Sequence, residues 1–177
     1  RRPAGADLRR ASTGPSHHYE RVRGIVVRAV VLVGGYGTRL RPLTDDTPKQ
    51  MLPVAHRPMV EHSVGHLARH GVTDVVLSLG FRPDAFEAAY PDGMCAGVAV
   101  CYAVEPEPLD TGGAIGFAAR HEAIDDTFLV CNGDVITGLD VGTLVKRHRD
   151  SGAAATIALT PVDHPARYGV VPTDDNG

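Results

Sequence analysis

The sequence predicts an α/β layered fold around a mixed, mainly parallel β-sheet, and three observations lead there. The stretch 28–33 (RAVVLV) is an almost unbroken apolar run, the pattern of a strand buried on both faces. Further short apolar runs follow, separated by helix-length segments, so successive strands need crossover connections and become parallel neighbours. Glycine and proline punctuate the junctions, which excludes a coiled coil, a collagenous repeat or a mostly disordered chain.

The elements follow in order. After the strand at 28–33 comes a glycine-rich loop, Gly34 to Thr38. Arg57-Pro58 opens a helix that runs to His70 and stops at Gly71, with proline near its start and glycine just past its end. A second strand occupies 73–79 (TDVVLSL), and a short helix at 83–90 is ended by Pro91 and Gly93. A third strand at 98–104, a helix at 112–121 and a fourth strand at 127–131 (TFLVC) continue the alternation. A helix at 140–151 precedes the last expected strands, 153–160 and 168–172. In open parallel sheets ligands bind beyond the carboxyl ends of the strands, where the loops after Val33 and after Cys131 both lie.

Composition bounds the function. The chain has 177 residues, is 43% apolar and carries a net charge of −3, so one ordinary core is expected. No apolar run approaches the ~20 residues of a membrane span, and the arginine-rich start lacks the apolar stretch of a secretory signal. Three widely spaced cysteines (Cys95, Cys101, Cys131) in or near apolar runs suit buried thiols in a reducing compartment rather than a disulfide framework or a zinc site, with the cytoplasm the expected location. Residues 1–26 hold six arginines against Asp7 and Glu20, a net +4, which leaves −7 on the rest. With no Phe or Trp to stack bases and no amphipathic face, this segment reads as a disordered or artefactual extension rather than a nucleic-acid or membrane arm. The ordered pattern begins at Val27, and the turn-like residues from Thr173 to Gly177 directly after a strand lead us to expect a sequence cut short.

Two loops carry the chemistry. The first reads Gly34-Gly35-Tyr36-Gly37-Thr38-Arg39-Leu40-Arg41-Pro42-Leu43-Thr44, followed by Pro48-Lys49. Glycines let backbone approach a ligand closely, and consecutive N–H groups form an anion-binding concavity. It is not a Walker A loop, because no Lys follows these glycines directly, and Leu40 stands where a dinucleotide fingerprint needs its third glycine. What stands out is Arg39 and Lys49 flanking a glycine loop behind a buried strand; Lys49 is one of two lysines against 16 arginines. Asp134, in Asn132-Gly133-Asp134 after the fourth strand, reads either as a turn cap or as a metal ligand. His62, His66 and His70 share a helix, and two histidines at i, i+4 can chelate a metal, but packing is the better reading for this helix. Glu105-Pro106-Glu107 and Asp125-Asp126 read as solvated loop acids.

The run from Gly34 to Lys49 resembles the opening motif of the sugar-1-phosphate nucleotidylyltransferase family, G-G-x-G-[ST]-R-L-x-P-L-T…P-K. Met51-Leu52-Pro53-Val54, Arg57-Pro58, the run EPEPLDTGG at 105–113, Asn132-Gly133-Asp134 and Tyr168-Gly169-Val170-Val171 extend the resemblance over 28–173. Tyr36 and the YGVV run make it most similar to the mannose-1-phosphate guanylyltransferase branch. The resemblance implies a three-layer α/β/α, Rossmann-like nucleotide-diphospho-sugar transferase fold, of which 27–177 would be the N-terminal portion.

It also implies an enzyme whose partners are a nucleoside triphosphate, GTP in that branch, and a sugar 1-phosphate. The products would be a nucleoside-diphosphate sugar and pyrophosphate. Glucose-1-phosphate thymidylyl- or uridylyltransfer is the alternative within the family, a noncatalytic nucleotide-sugar sensor is the alternative outside catalysis, and homo-oligomerisation is left open. By the same resemblance Arg39 grips the triphosphate, Lys49 places charge near the α-phosphate and Asp134 holds Mg²⁺. Leu32, Gly34, Gly35, Gly37, Thr38 and Gly112 line the nucleotide, and Asn132 and Gly169 the sugar. A second metal aspartate and a sugar-phosphate lysine of the family lie outside these 177 residues, so this segment alone is expected to turn over little. One departure is the family's Leu-Gly-Thr, here Leu109-Asp110-Thr111. Aspartate tolerates an unusual backbone angle, and its charge either repels phosphate or accepts a hydroxyl hydrogen bond.

Overall fold

The computed structural model describes residues 27–80, 82–164 and 169–174, so the basic segment 1–26 and Tyr168 lie outside the described residues. The first strand, β1 (Ala29–Leu32), sends Ala29 and Val31 into one apolar cluster and Val30 into another. Both of its faces are covered, which is why its sequence has no polar alternation; each fully buried valine contributes about 1.5–3 kcal/mol.

A small hairpin follows, β2 (Pro53–Val54) paired antiparallel with β3 (Arg57–Pro58). Its turn residues Ala55 and His56 take left-handed φ values of 47° and 66°. The expected helix start at Arg57-Pro58 is therefore corrected: Pro58 has ψ 140° and flanks α1 (Met59–Arg69) rather than lying in it. The steric pressure of a proline on the residue before it keeps Arg57 out of the helical region. Then come β4 (Asp74–Leu79), α2 (Pro83–Ala89), β5 (Met94–Cys95), β6 (Val98–Val104), α3 (Asp110–His121), β7 (Leu129–Asn132) and α4 (Val141–Ser151). The Asp140 carboxylate caps α4 by accepting the Thr143 N–H at 3.0 Å, and that bond holds its pKa below the ordinary carboxylate value.

The main sheet has the order β5-β6-β4-β1-β7. β6, β4, β1 and β7 run parallel, and only the short β5 is antiparallel. Val60, Val64 and Leu67 of α1, Phe86 of α2 and Val141 and Val145 of α4 pack on one face. On the other face Ala118 and Phe117 of α3 meet Val30 and Val76. Three layers result, as the resemblance implied.

The strands expected at 153–160 and 168–172 do not form: 153–160 and 169–172 carry no strand, and Ile157, Leu159, Val170 and Val171 are exposed. An apolar run becomes a strand only when a neighbour takes up its hydrogen bonds, and among the described residues β7 pairs with β1 alone.

Register decides where the site falls. Leu32 lies opposite both Ser78 and Asn132, and Leu79 lies opposite Val104. The residues that follow these strands therefore emerge together at the carboxyl edge of the sheet.

Candidate active site

The glycine loop is held by its own short contacts. Buried Thr44 donates its hydroxyl to the Gly37 carbonyl at 2.8 Å, and the Leu40 N–H reaches the same carbonyl at 2.8 Å. Gly37 has φ 64°, and a Cβ there would stand 3.0 Å from Thr44 Cγ2 and 3.2 Å from Lys49 Cβ, so only glycine fits. Lys49 opens a 3₁₀ turn, Lys49–Met51, and its ammonium runs beside Gly35. Across the cleft, a Cβ on Gly133 would lie 2.5 Å from Val33 Cγ1. That close crossing delivers Asp134 to Lys49, and the two form an ion pair with side chains 25% and 29% exposed. Partial burial weakens solvent screening, so this pair interacts more strongly than one on the open surface.

The β6 end is built differently. Ser78, buried in β4, donates its hydroxyl to Glu105 Oε1 at 3.1 Å, and the Leu109 N–H donates to Oε2 at 3.2 Å. Asp110 opens α3 with φ 55°. A non-glycine residue in that region costs on the order of 1–3 kcal/mol, with aspartate among the better tolerated.

These groups line one cleft of about 380 Å³. Of the residues expected in the site, the cleft gathers Leu32, Gly34, Gly35, Lys49, Asn132 and Asp134. Gly37 shapes the loop from behind. Thr38 and Arg39 are exposed on the 3₁₀ turn Thr38–Leu40 and do not line the cleft. Gly112 sits in the first turn of α3 with open space around it, and Gly169 is exposed outside any element; neither lines the cleft.

Sequence reasoning missed Gln50, Ser78, Gly80 and Glu105, which do line it; Asp110, singled out as a departure but not placed in the site, lines it too. Glu105 corrects the reading of a solvated loop acid: it is half-buried, while Glu107, Asp125 and Asp126 are exposed as expected. Ser78 carried a usable signal, a polar residue interrupting the apolar run near the carboxyl end of its strand.

The donors near Lys49 suit a hard cation. Asp134 offers a carboxylate, Asn132 an amide oxygen, and Gln50 is 2% exposed with its Oε1 lacking any hydrogen-bond partner. Oxygen donors of this kind fit Mg²⁺, which commonly takes one or two carboxylates and completes its shell with water and substrate phosphates. No cluster of three His, Cys, Asp or Glu residues able to hold a metal exists among the described residues. The helix histidines serve packing: His62 Nε2 lies 2.8 Å from the Val54 carbonyl and His66 Nε2 2.8 Å from the Leu139 carbonyl. The three cysteines are free thiols, but only Cys95 is fully buried as expected: Cys131 is half-buried and Cys101, on β6, is exposed. Burial pushes the thiols of Cys95 and Cys131 up to about 11.

A glycine loop, a lysine and a carboxylate at the carboxyl ends of parallel strands are an arrangement that suits a phosphate-bearing ligand on an α/β scaffold. Residues 28–177 match the nucleotidyl transferase family, and the chain belongs to that family. It is 44% identical over 149 residues to a mannose-1-phosphate guanylyltransferase of Mycobacterium tuberculosis, covering 84% of this chain and 41% of that protein. Among solved structures, a provisionally assigned glucose-1-phosphate thymidylyltransferase of Bacillus anthracis aligns with a TM-score of 0.74 at 29% identity, covering 86% of this chain and 62% of that one. HddC from Yersinia pseudotuberculosis, complexed with GMP-PN, aligns with a TM-score of 0.63 at 32% identity, covering 71% and 55%. The chain thus spans about two fifths of the length of the curated relative it matches. Among the described residues no helix is long and apolar enough to cross a membrane.

Proposed function

We propose that the whole protein transfers the guanylyl group of GTP to mannose 1-phosphate, releasing pyrophosphate and forming GDP-mannose. The observation that carries this reading is the Lys49–Asp134 pair facing a glycine loop at the carboxyl edge of the sheet. Curated relatives named for that reaction support the choice of base and sugar, as does the guanine nucleotide analogue bound by HddC.

In this reaction a phosphate oxygen of the sugar phosphate attacks the α-phosphorus, a new P–O bond forms, and the bond to the β-phosphate breaks. Little covalent work falls to the protein, so positioning and charge stabilisation dominate. The Gly35 amide, beside the Lys49 ammonium, cradles phosphate oxygens. Lys49 exchanges Asp134 for phosphate and steadies the charge that builds on the α-phosphate. Asp134, with Asn132 and Gln50 beside it, holds the cation. Bound Mg²⁺ supplies Lewis-acid neutralisation of phosphate charge. Arg39, on its exposed turn, takes the outer phosphates once they are present, through a planar fork suited to them. Three free thiols suit a cytoplasmic location.

The test is pyrophosphate release by the full-length protein with Mg²⁺, over a matrix of nucleoside triphosphates against mannose and glucose 1-phosphates. Release with GTP and mannose 1-phosphate together, and with neither alone, is the expected result. Saturable binding of a nucleotide sugar without release from any pair would make the protein a sensor and overturn the reading.

A further inference from the structure

We propose that Asp110 is a specificity-determining residue of the cleft. Its carboxylate keeps phosphate away from the α3 end and accepts a hydrogen bond from a neutral N–H or O–H donor of the bound nucleoside. The inference rests on the guanylyltransferase reading and deepens it by assigning which part of the nucleotide lies where.

Glu105 follows β6 and Asp134 follows β7, the outer strands of the parallel four, and the Glu105 side chain leans inward until Oε1 is 3.6 Å from where a Cβ on Gly34 would stand. Among the described residues that line the cleft, Lys49 is the one cation, and it stands at the Asp134 end. The other end presents Glu105 and Asp110. Left to itself, the first turn of α3 would draw phosphate, because its leading N–H groups lack intrahelical partners. Asp110 sets a fixed negative charge at that turn and cancels the attraction, so the triphosphate is directed to Lys49.

A neutral group that offers hydrogens is what this end can take. Both oxygens of Glu105 already accept protein donors, from Ser78 and Leu109. Asp110 is exposed and lines the cleft, on a backbone with φ 55° where glycine would be unstrained. Strain retained at a ligand site points to a role for the side chain.

The experiment is calorimetric titration of full-length wild type, Asp110→Asn and Asp110→Gly with pyrophosphate, GTP, ITP, 2′-deoxyguanosine triphosphate, UTP and thymidine triphosphate in EDTA. Pyrophosphate should bind both variants several-fold more tightly than wild type. Wild type should disfavour one guanosine analogue by about tenfold: ITP if the donor is the base amino group, the deoxy compound if it is the ribose hydroxyl. Asp110→Gly should lose that discrimination, and Asp110→Asn, which keeps a neutral acceptor, should retain part of it. Equal discrimination in all three proteins, or unchanged pyrophosphate affinity, overturns the proposal. Wild type that binds UTP or thymidine triphosphate but not GTP overturns the guanylyl reading instead, and the pyrophosphate arm still decides the role of Asp110.

Discussion

At the β7 end of the cleft the chain sets a cation against a carboxylate, Lys49 against Asp134, whereas at the β6 end it sets a carboxylate, Glu105, against neutral donors. The first arrangement is one that ligands can open, since phosphate competes for the lysine and a metal ion competes for the aspartate. The second is closed within the protein: Ser78 is buried and the Leu109 amide belongs to the backbone, so Glu105 is held whether or not a ligand is present. On the function proposed above, the exchangeable end serves the chemistry and the fixed end orients the ligand.

Breaking the exchangeable end should have the largest effect. Asp134→Ala and Lys49→Met are each expected to lower pyrophosphate release by the full-length protein by about 10²–10³. The two should part company in Mn²⁺ titrations without nucleotide. Lys49→Met strengthens metal binding by freeing Asp134, and Asp134→Ala weakens it; weakening in both would mean the pair does not exclude the metal.

Next comes the crossing that delivers Asp134. Gly133→Ala places a methyl 2.5 Å from Val33 Cγ1 and should cost about 1–3 kcal/mol in urea unfolding. A variant as stable as wild type would show that the crossing is looser than described.

The fixed end should respond more mildly. Ser78→Ala removes one donor from Glu105 and is expected to cost about 1 kcal/mol, read as a several-fold rise in KM for the nucleotide with kcat nearly unchanged. Gln50→Met should move stability and function in opposite directions. It removes a buried acceptor without a partner, so thermal stability of the free protein should rise by up to about 1 kcal/mol while Mn²⁺ affinity falls. The smallest effect tests burial alone. With the Cys131 thiol pushed up to about 11, alkylation at pH 8 should leave it largely unmodified and reach it only as the pH approaches that value.

Much of this is legible in the amino-acid sequence. The unbroken apolar run at 29–33 announces a strand covered on both faces, and the glycines at 34, 35 and 37 announce close backbone approach. The Glu105 site is not legible: an acid followed by proline reads as solvated, and nothing local says that Ser78 lies opposite Ala103 in the sheet, two residues short of it. The reverse holds at 153–160, where apolar composition suggests a strand that finds no ladder among the described residues. Arg39 shows a third case, a residue whose motif is complete but whose side chain stands outside the cleft.

By itself the sequence determined the layered α/β scaffold, the glycine loop and the identities of the charged groups, because apolar periodicity and backbone freedom are local properties. Only the tertiary structure decided that Lys49 meets Asp134, that Glu105 is braced by Ser78 and that Asp110 faces the same cleft. Those meetings depend on strand order and register over the sequence separation of 85 from Lys49 to Asp134, and long-range pairing is set by how whole layers pack rather than by any one segment.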